Sequence, residues 1–270
     1  MKQLCILLCV GLLSGMVSAR AQSYYEEGLK EYNADNGNML TAVNLFTKAI
    51  RGHQEPAQAY LMRGAARGRL QQFSNAAKDL DSSLRLDPDN YKAYMYYGKI
   101  NLVQGDFSTA LHYYDLALSK YTKDPKVYDD RAIVKGNLNR YKDAVADEDM
   151  AIALDPQDYN YYLNRGFAKV QLHEDAAAMA DYDKSIGLKP SYKGYADRGV
   201  LFLQMKQFRR AVDDLTLALQ LVPADYDIWY RRGLAYNGLG DTEKACLDFK
   251  HSQQMGYALA GEALQKNNCH

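Results

Sequence analysis

The chain has 270 residues, of which 47% are hydrophobic and 24% charged, the composition of an ordinary folded protein. Lys plus Arg and Asp plus Glu balance at 33 each, which excludes the basic footprint of a nucleic-acid binder. Tyrosine is the outlier, with 23 Tyr against 7 Phe and one Trp. A ring with a polar tip suits half-buried positions, where the body packs and the hydroxyl stays wet.

Residues 1–21 read as a targeting segment and not as fold. Met1-Lys2 gives a positive start, residues 4–17 are largely apolar, and Ala19-Arg20-Ala21 sets small residues before Gln22. This is the pattern of a secretory signal peptide. The apolar run falls short of the roughly 20 residues a membrane span needs. An uncleaved N-terminal anchor is the alternative. A lipoprotein signal fits poorly, because Cys9 follows Leu7-Leu8. Cleavage leaves 31 basic against 33 acidic residues, and only Cys246 and Cys269. Such an even pair permits a disulfide. A helical core of roughly 220 residues needs no staple of that kind, so two unpaired cysteines are expected. The expected location is periplasmic or extracellular, with no membrane insertion after cleavage.

The rest of the chain repeats one frame at a step of about 34 residues, the mark of stacked repeats. The repeats fall at 22–56, 57–90, 91–124, 125–158, 159–191, 192–225 and 226–257, with 258–270 left for a capping helix and tail. Repeat one carries Tyr24, Gly28, Ala42, Phe46 and Ala49. Its turn-rich residues 33–38 lack calcium-loop spacing and read as a long helix–helix turn. Repeat two carries Tyr60, Arg63-Gly64, Ala76, Asp79, Leu80, Ser83 and Pro88; repeat three carries Tyr94, Gly98, Ala110, Tyr114 and Ala117 but lacks the Arg and the Pro. Repeat four has Tyr128, Arg131-Ala132, Ala144, Asp147, Ala151 and Pro156, and repeat five Tyr162, Arg165-Gly166, Ala178, Asp181, Ser185 and Pro190. Repeat six has Tyr195, Arg198-Gly199, Ala211, Asp214, Leu215, Ala218 and Pro223, and repeat seven Trp229, Arg232-Gly233, Ala245, Asp248, Phe249 and Ser252. Within each repeat, glycine and alanine let two helices approach, and proline stops the second.

Each unit resembles a tetratricopeptide repeat, with an aromatic and Arg-Gly or Gly on helix A, then Ala, an apolar or aromatic residue, Ala or Ser, and Pro on helix B. The resemblance spans nearly all of residues 22–257. It implies an all-α fold, an α-solenoid of seven helix hairpins in a right-handed superhelix with a C-terminal capping helix. It also implies a secreted or periplasmic, non-catalytic scaffold that takes a protein or peptide partner on a concave face built by helix A.

Arg at frame position 7 and Asp at position 23 occur together in five repeats and are both missing from repeats one and three, which have Glu27 and Leu45, and Tyr97 and Tyr113. Contact within each repeat explains this: Arg63 with Asp79, Arg131 with Asp147, Arg165 with Asp181, Arg198 with Asp214, and Arg232 with Asp248. A lone buried charge is costly, whereas a paired one roughly breaks even. In repeat four, Glu148 replaces an apolar residue, and Lys135 lies about one turn beyond Arg131. An ion pair in place of an apolar contact is the expectation there, and a weakened, hinge-like repeat the alternative.

No catalytic or metal site is expected. The histidines His53, His112, His173, His251 and His270 are scattered, with no zinc-protease spacing. No Gly-x-Ser-x-Gly elbow, phosphate loop or Cys-x-x-Cys occurs. No cofactor is implied. The helix-A frame directs Tyr25, Met62, Lys92, Met95, Tyr96, Lys99, Asp129, Asp130, Asn160, Leu163, Asn164, Phe167, Asp197, Tyr230 and Arg231 to the concave face. Some tetratricopeptide domains grip a C-terminal carboxylate with a Lys at position 5. Position 5 here reads Tyr25, Leu61, Met95, Asp129, Leu163, Ala196 and Tyr230, so that clamp is missing. The implied groove is mixed: aromatic and methionine anchors, Lys92 and Lys99, then Asp129 and Asp130. A monomer or weak self-association is expected. The alternative function is a glycan- or ligand-binding subunit of an envelope enzyme complex.

Overall fold

A computed structural model describes residues 22–52 and 56–269. The expected signal segment lies outside the described residues. Fifteen α-helices follow in series, and no strand occurs among the described residues. They are α1 (22–33), α2 (Met39–Arg51), α3 (Pro56–Arg69), α4 (Phe73–Leu86), α5 (Tyr91–Val103), α6 (Phe107–Lys120), α7 (Pro125–Asn137) and α8 (Tyr141–Leu154). Then come α9 (Tyr159–Gln171), α10 (Asp175–Leu188), α11 (Tyr192–Gln204), α12 (Phe208–Leu221), α13 (Tyr226–Gly238), α14 (Thr242–Gln254) and α15 (Ala258–Lys266). Odd helices carry the helix-A pattern and even ones helix B. Within hairpins α3 packs on α4, α5 on α6, α9 on α10, α11 on α12, and α13 on α14. The chain divides into two compact units within α7, after Val134.

The hairpin turn has a fixed backbone device. Frame position 15 is left-handed in six repeats: Gln71, Gly105, Asn139, His173, Lys206 and Gly240 all have φ between 57° and 79°. This conformation closes off a helix C-terminus. Glycine and asparagine take it readily, whereas at Gln71, His173 and Lys206 it comes with a bond from the next residue's N–H back to the helix end: Gln72 to the Arg67 carbonyl, Glu174 to Lys169 and Gln207 to Phe202, each at 2.9 Å. In repeat one, residues 33–38 form a turn as expected. There the Asn38 side chain accepts from the backbone N–H of Leu40 (3.0 Å) and Thr41 (3.2 Å), capping α2.

Packing follows the small residues. Ala42, Ala76, Ala110, Ala144, Ala178, Ala211 and Ala245, the alanine common to all seven frames, are all buried. A Cβ on Gly166 would sit 2.7 Å from the Tyr182 ring, so the ring occupies the space that glycine vacates. The ring at position 4 of helix A reaches back to the preceding helix B. Tyr94 donates to the Pro88 carbonyl (3.2 Å), Tyr162 to Pro156 (3.2 Å) and Trp229 to Pro223 (2.8 Å). The proline therefore ends one hairpin and also offers an acceptor to the next.

Inside the hairpins lies a layer of charge. Each arginine forks onto its aspartate through Nε and Nη2: Arg63 on Asp79 (2.9 and 2.7 Å), Arg165 on Asp181 (3.0 and 2.6 Å), Arg198 on Asp214 (2.7 and 2.9 Å), and Arg232 on Asp248 (2.8 and 2.9 Å). These aspartates are only 3–4% exposed. The third arm, Nη1, reaches the preceding repeat: Thr47 from Arg63 (3.0 Å), Asp149 from Arg165 (2.6 Å), Asp183 from Arg198 (2.7 Å) and Thr216 from Arg232 (3.2 Å). A contact to the preceding repeat thus joins the expected one within the repeat. Arg131 and Asp147 fall in different units. Within unit one Arg131 binds Asp115 (2.7 Å), and within unit two Asp147 binds Lys135 (2.6 Å). The Lys135 ammonium therefore serves the aspartate beside Glu148, which is itself buried.

Repeat three replaces charge with rings. Tyr97 and Tyr113 stack with centroids 4.7 Å apart and planes 14° apart. The Tyr97 hydroxyl lies 2.6 Å from Asp81 and 2.9 Å from the Ala77 carbonyl. Tyr97 thereby reproduces the backward contact that arginine makes elsewhere.

The expectation of two unpaired cysteines is corrected: Cys246 and Cys269 form a disulfide, with Cα atoms 5.4 Å apart. After a left-handed turn at Gly256, α15 folds back on α14 and buries Ala260 and Ala263, which brings the tail within bonding reach of α14.

Three variants test this packing. Gly166→Ala should lower stability by about 1–3 kcal/mol through overpacking against Tyr182. Gly187→Ala, where nothing lies within 4 Å of the added carbon, should be neutral or stabilising by up to about 1 kcal/mol. Urea midpoints of the two variants check the contrast. Tyr97→Phe keeps the stack, strips Asp81 of its donor, and should cost about 1–2 kcal/mol in the same measurement.

Candidate functional site

The charge layer and the glycine–alanine seam occupy the inner faces of the hairpins. Other helix-A residues contribute to a cavity in each unit. The cavity in unit one has a volume of about 420 Å³, and its lining includes Tyr32, Arg69, Met95, Tyr96, Lys99, Val103 and Lys126. The cavity in unit two has a volume of about 430 Å³, and its lining includes Phe167, Gln171, Tyr182, Lys193, Asp197, Val200, Asp227 and Arg231. The two draw on the same frame positions: 9, 12 and 13 of one helix A, then 5, 6, 9 and 13 of the next.

Of the helix-A residues singled out by the frame, Met95, Tyr96 and Lys99 line the first cavity, and Phe167, Asp197 and Arg231 the second. Phe167 is 47% exposed. The others lie elsewhere. Tyr25 packs on Phe46 (centroids 5.8 Å apart), and Tyr230 on Phe249 (5.6 Å) and Tyr257 (5.1 Å). Met62 packs on the same core cluster as Tyr25, and Leu163 is buried in the core of unit two. The Lys92 ammonium lies 5.9 Å from the Tyr91 ring centre, and the Asn160 amide donates to Asp158 (2.8 Å). Asp129, Asp130 and Asn164 do not line either cavity. Asp130 pairs with Lys99 at 3.1 Å.

Tyr32, Lys193 and Asp227 also line the cavities, from frame positions 12 and 2 that point to this face, and were not singled out; Arg69, at position 13, lies outside the frame positions used. The Arg69 guanidinium sits 3.9 Å from the Tyr32 ring centre and donates to the Tyr32 carbonyl (2.8 Å). Arg69 and Gln171 share position 13, the last residue of helix A, and position 2 supplies Lys126, Lys193 and Asp227. Position 13 was the signal beyond the frame positions used.

Two carboxyls at frame position 6 are perturbed. Burial pushes Asp130 up to about 6, against the opposing pull of Lys99. Burial likewise pushes Asp197 up to about 6, against Lys193 and Arg231. Burial also raises the Tyr96 hydroxyl, which lies 3.4 Å from that of Tyr32. Among the described residues, no group of three His, Cys, Asp or Glu is placed to hold a metal ion, and no helix is long and apolar enough to cross a membrane.

A tetratricopeptide-repeat family model matches residues 61–125 and 197–249. The meiotically up-regulated gene 93 protein of Schizosaccharomyces pombe is 39% identical over 61 residues, which are 23% of this chain and 16% of that protein, so the chain spans about a sixth of that relative. Among solved structures, pilF of Pseudomonas aeruginosa is similar with a TM-score of 0.71 at 17% identity, over 78% of this chain and 96% of that one. YrrB, described as a TPR protein with an unusual peptide-binding site, has a TM-score of 0.58 at 17% identity, over 70% of this chain and 99% of that one. Tandem helix pairs, the buried glycine–alanine seam and these matches agree: residues 61–125 and 197–249 are similar to tetratricopeptide repeats, and the chain has the all-helical fold of the tetratricopeptide solenoids.

Proposed function

We propose that the chain is a non-catalytic interaction scaffold that holds an extended segment of a protein partner in its helix-A grooves. It works in the periplasm or outside the cell after loss of residues 1–21. The observation that carries the reading is Phe167, a ring left 47% exposed beside a cavity of about 430 Å³ whose other walls are both apolar and charged. Binding energy concentrates in aromatic and arginine side chains that enter or line such pockets. Tyr96 lines the matching cavity of unit one. Each cavity is bordered by successive repeats, which favours an extended segment over a compact ligand. The peptide-binding site named for YrrB supports the same reading by analogy of fold.

The test is capture of the partner from the native envelope fraction. Phe167→Ala and Tyr96→Ala should each weaken capture about tenfold or more, as for loss of an interface anchor, with the helical circular-dichroism signal unchanged. The opposite result is full capture by both variants together with loss on changing the exposed helix-B residues Leu86 and Met150. That result would move the binding face to the other side of the hairpins.

A further inference from the structure

Asp130 in unit one and Asp197 in unit two are carboxylates at the same frame position, but only Asp197 lines a cavity and only Asp130 has an ammonium within ion-pair distance. In unit one, Asp130 at frame position 6 is met by Lys99 from position 9 of the preceding repeat, at 3.1 Å. In unit two, Asp197 occupies position 6, and position 9 of the preceding repeat is Phe167. The Asp197 Oδ2 is buried and has no hydrogen-bond partner. The cations bordering the cavity do not replace the missing lysine. Arg231 is paired with Asp227, which also accepts from the Tyr257 hydroxyl (3.1 Å). Lys193, one turn before Asp197 on α11, is exposed. A buried carboxylate without a partner is costly, and the chain omits here the lysine that stands 3.1 Å from the carboxylate at the same frame position in unit one.

We propose that the unit-two groove takes a lysine or arginine side chain of an extended partner segment, with its cationic head on Asp197 and its stem along Phe167. The inference rests on the groove being the binding face. Lys99 on Asp130 is the intramolecular version of the contact: an ammonium delivered to a position-6 carboxylate. Phe167, Val170, Val200 and Ile228 give the apolar stem its walls. The exposed ring adds attraction for a cation over its face. Burial holds the Asp197 carboxyl up to about 6, so it is mostly charged at neutral pH and loses its charge as pH falls through that value. The other charged or titratable groups facing it are Lys193, Asp227, Arg231, Tyr182 and Tyr192, and burial raises both tyrosine hydroxyls.

The test uses the full chain and three fluorescein-labelled peptides of about twelve residues that alternate Leu with Lys, Gln or Glu. Fluorescence anisotropy at pH 7.5 should rank Lys–Leu first. Asp197→Asn should weaken Lys–Leu binding roughly tenfold to a hundredfold, the loss of one hydrogen bond to a charged group. Phe167→Lys restores the unit-one arrangement internally and should abolish Lys–Leu binding with the helical signal intact. Wild-type binding should fall as pH drops from 7.5 to 5, with a midpoint near 6. Equal binding of Gln–Leu, or wild-type affinity in Asp197→Asn, overturns the proposal. If the native partner still needs Phe167 while no Lys–Leu binding is seen, this inference fails and the groove stands. If groove changes leave partner capture untouched, both fail.

Discussion

A guanidinium gripped from two sides is the constraint on which the rest depends. Arg63, Arg165, Arg198 and Arg232, all at position 7, commit Nε and Nη2 to a buried aspartate of their own hairpin and Nη1 to the hairpin before it. An aspartate 3–4% exposed cannot be left alone. The hairpin therefore closes with one register, the one that brings residues sixteen apart into a fork. In place of an apolar contact, such a pair gives little net stability. Its worth lies in geometry. The five donors of arginine suit a planar two-sided clamp, which lysine cannot make. Where a second cation is present at position 11, as with Arg67 on Asp79 and Lys169 on Asp181, both 2.7–2.8 Å away, it adds to the fork without replacing it.

Because the inner faces are fixed by positions 7, 8, 20 and 23, the outer helix-A positions are free to change chemistry from repeat to repeat. Position 9 is Lys99 in repeat three and Phe167 in repeat five, on the same backbone device. With lysine there, the position-6 carboxylate of the next repeat has an ammonium 3.1 Å away, and with phenylalanine it has none from that position. The scaffold thus separates what holds it together from what it can recognise. A repeat can lose its charge pair altogether, as repeat three does. It then keeps its place through stacked rings and one hydroxyl on Asp81.

The hairpin seam and the Arg–Asp partners were legible in the sequence because they recur in register, and a recurring small residue or paired charge has one steric or electrostatic cause. The backward arm of Arg165 was equally periodic, with Thr or Asp at position 25 in six repeats. It went unread because the within-repeat pairing already explained the covariation. Groove membership was only partly legible. The frame gives the direction of a helix face, but not whether a neighbouring ring covers it, so Tyr25 and Tyr230 pack on Phe46 and Phe249 while Phe167 stays bare. Arg69 and Lys193 come from helix ends, where a long side chain reaches back over the groove. The Cys246–Cys269 bond depends on how α15 turns after Gly256, and no repeat supplies a template for that turn.

The most direct measurement is a double-mutant cycle on Arg198 and Asp214, because in that repeat position 11 is Phe202 and offers no second cation. Urea unfolding of Arg198→Met, Asp214→Leu and the double variant gives the coupling. If the fork sets the register of the hairpin, Arg198→Met strands a buried aspartate and costs about 3–5 kcal/mol, while the double variant recovers most of that loss. Additive losses in the double variant, with coupling below about 0.5 kcal/mol, would show that the two residues act independently and would contradict the account.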